Sequence, residues 1–408
     1  MVLGGGRLTH RGAGMRRALV IGGSVGGLFA ALALRRAGWA VQISERVAVP
    51  LAGRGAGIVT HPALRRVLDQ LGLDTHRDFG VPVAGRRTLA RDGSVAGVLD
   101  CPQVMTSWDR LFRLLRGAWP DAQYALGESL TGVRITPTGI VAQFGNGTVR
   151  EAELLVGADG IRSGVRDACF GPVTTNYAGY VAWRGLVAES DVPADLFSCF
   201  GFCLPDGEQM LGYPVAGADN DLRPGHRRYN FVWYRPADDA ALARLLTDQD
   251  GTVHAGSIPP PLIRAEIVAA MRTDADRVLA PAFATVVRAT AQPFLQPIYD
   301  LECPRMVTDR VALVGDSAFV ARPHLGAGVT KAAEDAWALA AALADAAVSD
   351  GLVRYAVTRE AVGRNLVARA RQLGAFLQPQ HATADEQATA ARHRTTEAVM
   401  AETALLDR

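Results

Sequence analysis

The sequence predicts an α/β protein in which a parallel sheet, an antiparallel sheet and a run of C-terminal helices share one chain of 408 residues. Three observations carry this prediction. An apolar strand at 18–21 runs into a glycine-rich turn, a helix and a second strand. Two further apolar strands, 154–156 and 311–314, end in turns built from Gly and Asp. Between those two lie short, aromatic-rich segments separated by turns such as Pro205-Asp206-Gly207, the pattern of an antiparallel sheet. Composition agrees: 49% hydrophobic and 21% charged residues supply large buried cores and exclude a disordered or fibrous chain.

Residues 1–15 read as a disordered leader, because MVLGGGRLTHRGAG has neither the apolar centre of a secretory signal nor a helical period. The strand 18–21 is apolar throughout, as a strand covered on both faces is. Helix 26–37 follows, Gly38 stops it, and strand 40–44 completes a right-handed βαβ unit. Residues 87–99, with Asp92-Gly93 at the centre, read as a hairpin that joins the antiparallel sheet. That sheet is expected from 180–187, 201–204, 210–215 and 229–234. Alternation in the last sends Tyr229, Phe231 and Trp233 to one face and Asn230, Val232 and Tyr234 to the other. After Ala332 the chain is almost wholly helical, and its polar tail from His381 reads as a homodimer interface or a lid. No Pro/Gly linker separates the sheets, so the domains interleave. Segments 16–85, 100–175 and 300–350 are expected in the first, 86–99 and 176–299 in the second, with 351–408 as C-terminal helices.

Other classes are excluded. The longest apolar stretch, 336–348, has thirteen residues and contains Asp345, short of the ~18 that a membrane span needs. Five cysteines without a CxxC pair argue against a disulfide framework or a metal site and fit a reducing cytoplasm. The formal net charge is +2, and no basic stripe with interleaved aromatics offers a nucleic-acid surface. Lys331 is the only lysine; the arginine excess, beside so much Ala and Gly, reads as genomic composition.

The chemistry begins at Gly22-Gly23-Ser24-Val25-Gly26-Gly27, in the register GxSxxG. Its outer glycines allow a tight turn and close helix–strand packing, and the helix amino end then offers backbone N–H groups to a diphosphate. Ser24 stands at the middle position, small enough to pass. Glu45 follows the second strand, 23 residues after Gly22, where a carboxylate accepts from ribose hydroxyls. Strand, turn, helix and acid together indicate a Rossmann-type dinucleotide site, with NAD and FAD both open at this point.

Two further motifs narrow the choice: Val156-Gly157-Ala158-Asp159-Gly160 with Arg162, Ser163 and Arg166, and Val314-Gly315-Asp316-Ser317-Ala318 with Pro323 and Gly326-Ala327-Gly328. With them, residues 16 to about 373 resemble the p-hydroxybenzoate hydroxylase-like family of single-component, FAD-dependent aromatic monooxygenases. Gly55-Ala56-Gly57-Ile58-Val59, Tyr177 to Gly185, Asn230 to Tyr234 and Arg322-Pro323-His324 are similar, more particularly, to the hydroxypyridine hydroxylases among them.

The resemblance implies an FAD-binding domain and a substrate-binding sheet. It implies Gly22, Ser24 and Gly27 on the diphosphate, Glu45 on the adenosine ribose and Asp316 on the ribityl chain. Gly326, Ala327 and Gly328 would aim amides at the flavin pyrimidine edge, a positive helix end that favours anionic reduced flavin. Arg46, Arg54 and Arg110 are further FAD candidates, and Asp159 and Arg166 belong to a segment serving both FAD and a visiting NADH or NADPH. The chain departs from the family at Ala327 and Thr330, where Gln and Asn are frequent, and at Trp108, where an arginine is common.

The implied reaction is hydroxylation of a small aromatic substrate by O2 and NAD(P)H through a C4a-hydroperoxyflavin. The protein orients the ring, excludes water and helps ionise a ring hydroxyl. His324 is the candidate base, from its place after Pro323 and its intrinsic pKa range. Arg184 is a candidate anchor for an anionic substrate, Tyr213, Phe231 and Trp233 for stacking, and His61 for a second pocket imidazole. Alternatives are a hydroxylase or epoxidase of a larger natural product, or a non-catalytic flavin-binding protein; no WxWxIP segment suggests a halogenase.

Overall fold

A computed structural model describes residues 15–53, 55, 57–75 and 78–406. The expected leader, Met15 apart, and Arg54 lie outside them.

The apolar strands assemble as expected. Across the first sheet the order is Val307–Thr308, Val311–Leu313, Leu154–Gly157, Arg17–Ile21, Ala40–Glu45 and Tyr124–Leu126. Every neighbouring pair is parallel except the outermost, Val307–Thr308 with Val311–Leu313. Val20 faces Val156 on one side and Ile43 on the other, and none of the three is exposed. Each such aliphatic side chain contributes about 1.5–3 kcal/mol through burial. Helices Val25–Arg36 and Gly328–Leu343 pack side by side over this sheet. Because the central strands run the same way, the turns after Ile21, Gly157 and Leu313 open at the same edge. That edge is where ligands bind in open parallel sheets.

The second sheet has nine strands, in the order Phe319–Val320, Phe294–Glu302, Asn176–Ala188, Arg228–Pro236, Gln209–Val215, Phe200–Cys203, Val81–Leu89, Val95–Ser107 and Gly57–Val59. It is larger than the sequence suggests. The hairpin occupies 81–107 instead of 87–99, with two register shifts along its length. Gly57–Val59 and Phe319–Val320, outside the segments expected to form it, extend both edges. Its pairs are antiparallel apart from Phe200–Cys203 against Val81–Leu89. A separate three-stranded sheet, Leu130–Ile135, Ile140–Phe144 and Val149–Ala152, has no counterpart in the sequence reading.

One face of the nine-stranded sheet packs on helices Ala265–Val278 and Pro281–Ala289. The other face turns toward the glycine turns of the parallel sheet, and the cavity between them is the site. Among the described residues no helix is long and apolar enough to cross a membrane.

Candidate active site

The first turn is built around close backbone approach. Gly22 holds φ +107°, and a Cβ there would stand 2.4 Å from the Ala158 carbonyl oxygen; one on Gly27 would stand 1.8 Å from the carbonyl of Gly22. Only glycine allows the strand, turn and helix to meet so tightly. Ser24 caps the helix Val25–Arg36 without a side-chain capping bond, and its residue lines the cleft. Glu45 is buried beneath the turn, its carboxylate accepting from the amides of Gly23 at 2.7 Å and Val47 at 2.9 Å. The Tyr124 hydroxyl donates to the Gly23 carbonyl at 2.7 Å, and burial, with Glu45 nearby, pushes that phenol up to about 12. The cleft, ≈ 650 Å³, runs from Glu45, Arg46 and Glu128 past Ser24 and Asp159 to Asp316 and Gly328.

Glu128 is a wall residue that sequence reasoning missed. Arg150 binds it through two bonds of 2.8 and 2.6 Å, and Ser44 donates to it at 2.5 Å. Arg46 is exposed at the cleft mouth. Trp108 is part of the wall, stacked on Phe112 with ring centroids 4.9 Å apart. Arg110 turns away to the Asn220 carbonyl at 3.0 Å, so it does not replace the arginine that Trp108 displaces.

In the second motif, Asp159 faces the cleft while accepting from Ser163 Oγ at 2.5 Å and the Val165 amide at 3.1 Å. Arg166 is corrected from ligand contact to brace. Its guanidinium is buried, donating to the carbonyls of Ser317 at 3.2 Å and Ile161 at 2.9 Å, and so ties the second motif to the third. The exposed cation here is Arg162, which lines the cleft and donates to the Ala255 carbonyl at 2.7 Å.

Asp316 and Gly328 belong to the walls of both the cleft and a second, larger cavity of ≈ 990 Å³. Gly326 and Ala327 wall the second one, ahead of the helix Gly328–Leu343. Lys331 is not a surface residue: it is 2% exposed, 3.4 Å from Asp335. Asp335 also takes Arg359 at 2.7 Å and the Gly315 amide at 3.0 Å, which fixes the third turn to this helix.

The larger cavity is lined from the nine-stranded sheet by Phe200, Leu211, Tyr213, Val232, Tyr234 and Arg184. Arg184 donates to Gln296 Oε1 at 2.9 Å and has no carboxylate partner among the described residues; its buried Nε is unpaired. Phe231 and Trp233 are a correction. Both are fully buried on the opposite face, among the helices, where Trp233 pairs across strands with Trp183 and Met210. The phase that reaches the cavity is Val232 and Tyr234, paired with Leu211 and Ala182.

The two histidines are corrections too. Pro323 and Gly326 face the cavity, but His324 between them turns inward, 2% exposed, with Nε2 2.7 Å from the Tyr180 hydroxyl. Burial, with Arg322 adding to it, lowers its pKa to about 3; with Nε2 on Tyr180 and the ring outside the cavity lining, the imidazole supports the loop. His61 is likewise buried, its Nδ1 3.0 Å from Thr330 Oγ1.

The residues present fit FAD. A backbone cradle that no Cβ could share leads along one cleft, with carboxylates at both ends, to a helix amino end beside an aromatic cavity. A family model described as FAD binding domain-like matches residues 177–300. The chain is 34% identical over 335 residues to the 2,6-dihydroxypyridine 3-monooxygenase of Paenarthrobacter nicotinovorans, spanning 79% of this chain and 82% of the relative. The structure of 2,6-dihydroxypyridine-3-hydroxylase from Arthrobacter nicotinovorans superposes with a TM-score of 0.83 at 30% identity, covering 89% of this chain and 93% of that one. Klebsiella pneumoniae HpxO, complexed with FAD and uric acid, gives 0.75 at 25% identity, covering 96% and 94%. The chain thus belongs to the class A flavoprotein monooxygenases, the FAD-dependent aromatic hydroxylases whose motifs its three turns carry.

Proposed function

We propose that this enzyme hydroxylates a small, electron-rich ring of the hydroxypyridine kind, bound as an anion, with NAD(P)H as reductant. One observation carries the reading: the turn that would meet the flavin edge also walls an aromatic cavity containing a cation, Arg184, without a carboxylate partner among the described residues. The named relatives act on dihydroxypyridine and bind uric acid, both oxygenated N-heterocycles.

When bound, FAD supplies the two-electron chemistry that links NAD(P)H oxidation to O2 activation. In balance, ring C–H, O2, NAD(P)H and a proton give ring C–OH, water and NAD(P)⁺. The protein's part is positioning and electrostatics. Arg184 stabilises the ionised ring oxygen, lowering the pKa of the hydroxyl it binds and enriching the carbon to be attacked. Tyr213, Tyr234 and Phe200 orient the ring and exclude water. Asp316 would hold the ribityl hydroxyls, and the amino end of Gly328–Leu343 would favour negative charge at the pyrimidine edge.

The test is NAD(P)H oxidation by the FAD-loaded enzyme over a panel of hydroxypyridines, phenols and their carboxylates. A hydroxypyridine that accelerates oxidation and gains one oxygen supports the proposal; no acceleration by any ring rejects the substrate class.

A further inference from the structure

The far end of the chain reaches the substrate cavity. Thr403 and Ala404 line it beside Pro323 and Gly326. They follow the short helix Thr396–Glu402, which packs across the hairpin strands Val81–Leu89 and Val95–Ser107.

These two residues are held from three sides. Arg86, 1% exposed, donates from Nη1 to the carbonyls of Met400 at 2.5 Å and Thr403 at 2.7 Å. Its Nε and Nη2 are themselves fixed by Gln103 Oε1 at 3.2 and 2.6 Å. The Ala404 amide donates to the His324 carbonyl at 2.8 Å, binding the tail to the loop that walls the cavity. Farther out, Glu402 takes His393 Nδ1 at 2.6 Å and Arg369 at 3.0 Å, which clamps the tail to the helix Val348–Gly374.

Ala404 also sits at φ +54°, a left-handed conformation that a residue with a side chain holds only when its surroundings over-determine it. Its methyl lies against Gly326, where a Cβ would come within 3.2 Å of it. The tail and the flavin-edge turn are therefore in direct contact, and the space between the tail and the sheet is the space a ring would fill.

We infer that Thr403 and Ala404 are specificity-determining residues: the C-terminal tail is a wall of the substrate cavity and sets the size and polarity of the rings it accepts. The inference rests on the reading that an aromatic ring binds there. The Ala404 methyl limits the ring's extent. The Thr403 hydroxyl, 3.4 Å from Gln209 Nε2, offers a polar contact to a ring substituent.

The test titrates the FAD-loaded wild type, Thr403→Val, Thr403→Ala and Ala404→Gly with a dihydroxypyridine, its monohydroxypyridine counterpart and the benzo-fused dihydroxyquinoline, read by perturbation of flavin absorbance. A methylene's worth of pocket space changes discrimination by roughly tenfold or more, so Ala404→Gly and Thr403→Ala are expected to shift the ratio of the two dihydroxy-ring affinities toward the larger ring by about that factor. Ala404→Gly suits the left-handed backbone and keeps the fold even if Thr403→Val, which loses the acceptor for Gln209, does not; Thr403→Val is expected to weaken the dihydroxy ring relative to its monohydroxy counterpart. Unchanged ratios in every variant, with wild-type binding intact, would overturn the inference alone. No spectral response from the wild type to any of these rings would overturn the functional reading and this inference with it.

Discussion

The Tyr180 hydroxyl and the His324 imidazole meet 2.7 Å apart inside the protein, behind the loop whose outer surface walls the larger cavity. Tyr234, on the cavity side, packs against the same imidazole with ring centroids 4.8 Å apart. The histidine is thus a strut between the sheet and the flavin-edge turn.

His324→Gln is expected to leave the acid limb of the kcat/KM profile in place, since the imidazole takes no proton from substrate. Stability should fall by about 1–3 kcal/mol through the broken buried hydrogen bond. The folded pKa of about 3 lies below the unfolded value near 6.5, so the unfolded chain binds more protons between them. Wild-type stability therefore declines as pH falls through that window, and the variant's acid decline should be shallower. Chemical denaturation at several pH values, beside the rate profile, measures both.

The contrast between His324 and the strand 229–234 shows what the sequence made legible. The glycine motifs were legible because each is a backbone device: Gly27 is required by a contact within its own turn, and Gly22 by the close approach of the second motif at Ala158. Alternation also split Tyr229, Phe231 and Trp233 correctly from Val232 and Tyr234, but alternation has no sign. Which face looks at the cavity is decided by helices Ala265–Val278 and Pro281–Ala289, distant in sequence, which cover the Trp233 side. His324 failed for a related reason, because a 3₁₀ turn at Pro323–Leu325 points neighbouring side chains in opposite directions. The tail's return to Gly326 leaves no signal in a single sequence, since it depends on contacts between the two ends of the fold.

That register yields a paired prediction. Trp233→Ala, inside the helix-covered core, should lower stability by about 3–5 kcal/mol while keeping ring selectivity. Tyr234→Leu should retain most stability and change the relative affinities of substituted rings. Thermal unfolding and ring titrations on the two variants separate a core role from a wall role.

Arg184→Met should weaken an anionic ring while leaving a neutral analogue nearly untouched. A hydrogen bond to a charged group is worth about 1.5–3 kcal/mol, or roughly 10- to 150-fold in Kd. Titration of both rings above and below the pKa of the ring hydroxyl checks this, and the wild type alone should bind more tightly as the hydroxyl ionises.

Gly27→Ala forces a methyl against the Gly22 carbonyl and should yield protein that purifies without flavin. Glu45→Gln should fold, but its one amide oxygen can keep only one of the two bonds from Gly23 and Val47. It should bind FAD roughly tenfold more weakly, as expected for loss of a charge-assisted hydrogen bond worth about 1.4 kcal/mol. Flavin fluorescence titration of the refilled protein measures both.

On the proposed function, O2 delivers one oxygen atom to a ring held in the Arg184 cavity. The most direct measurement is turnover of a stimulating hydroxypyridine under ¹⁸O2, with the wild type beside Arg184→Met and mass spectrometry of the products. The wild type should give one ¹⁸O atom per product molecule, and the variant a loss of product that matches its loss of ring affinity. Product oxygen drawn from water, or NAD(P)H consumed with no oxygenated ring in either protein, would contradict it.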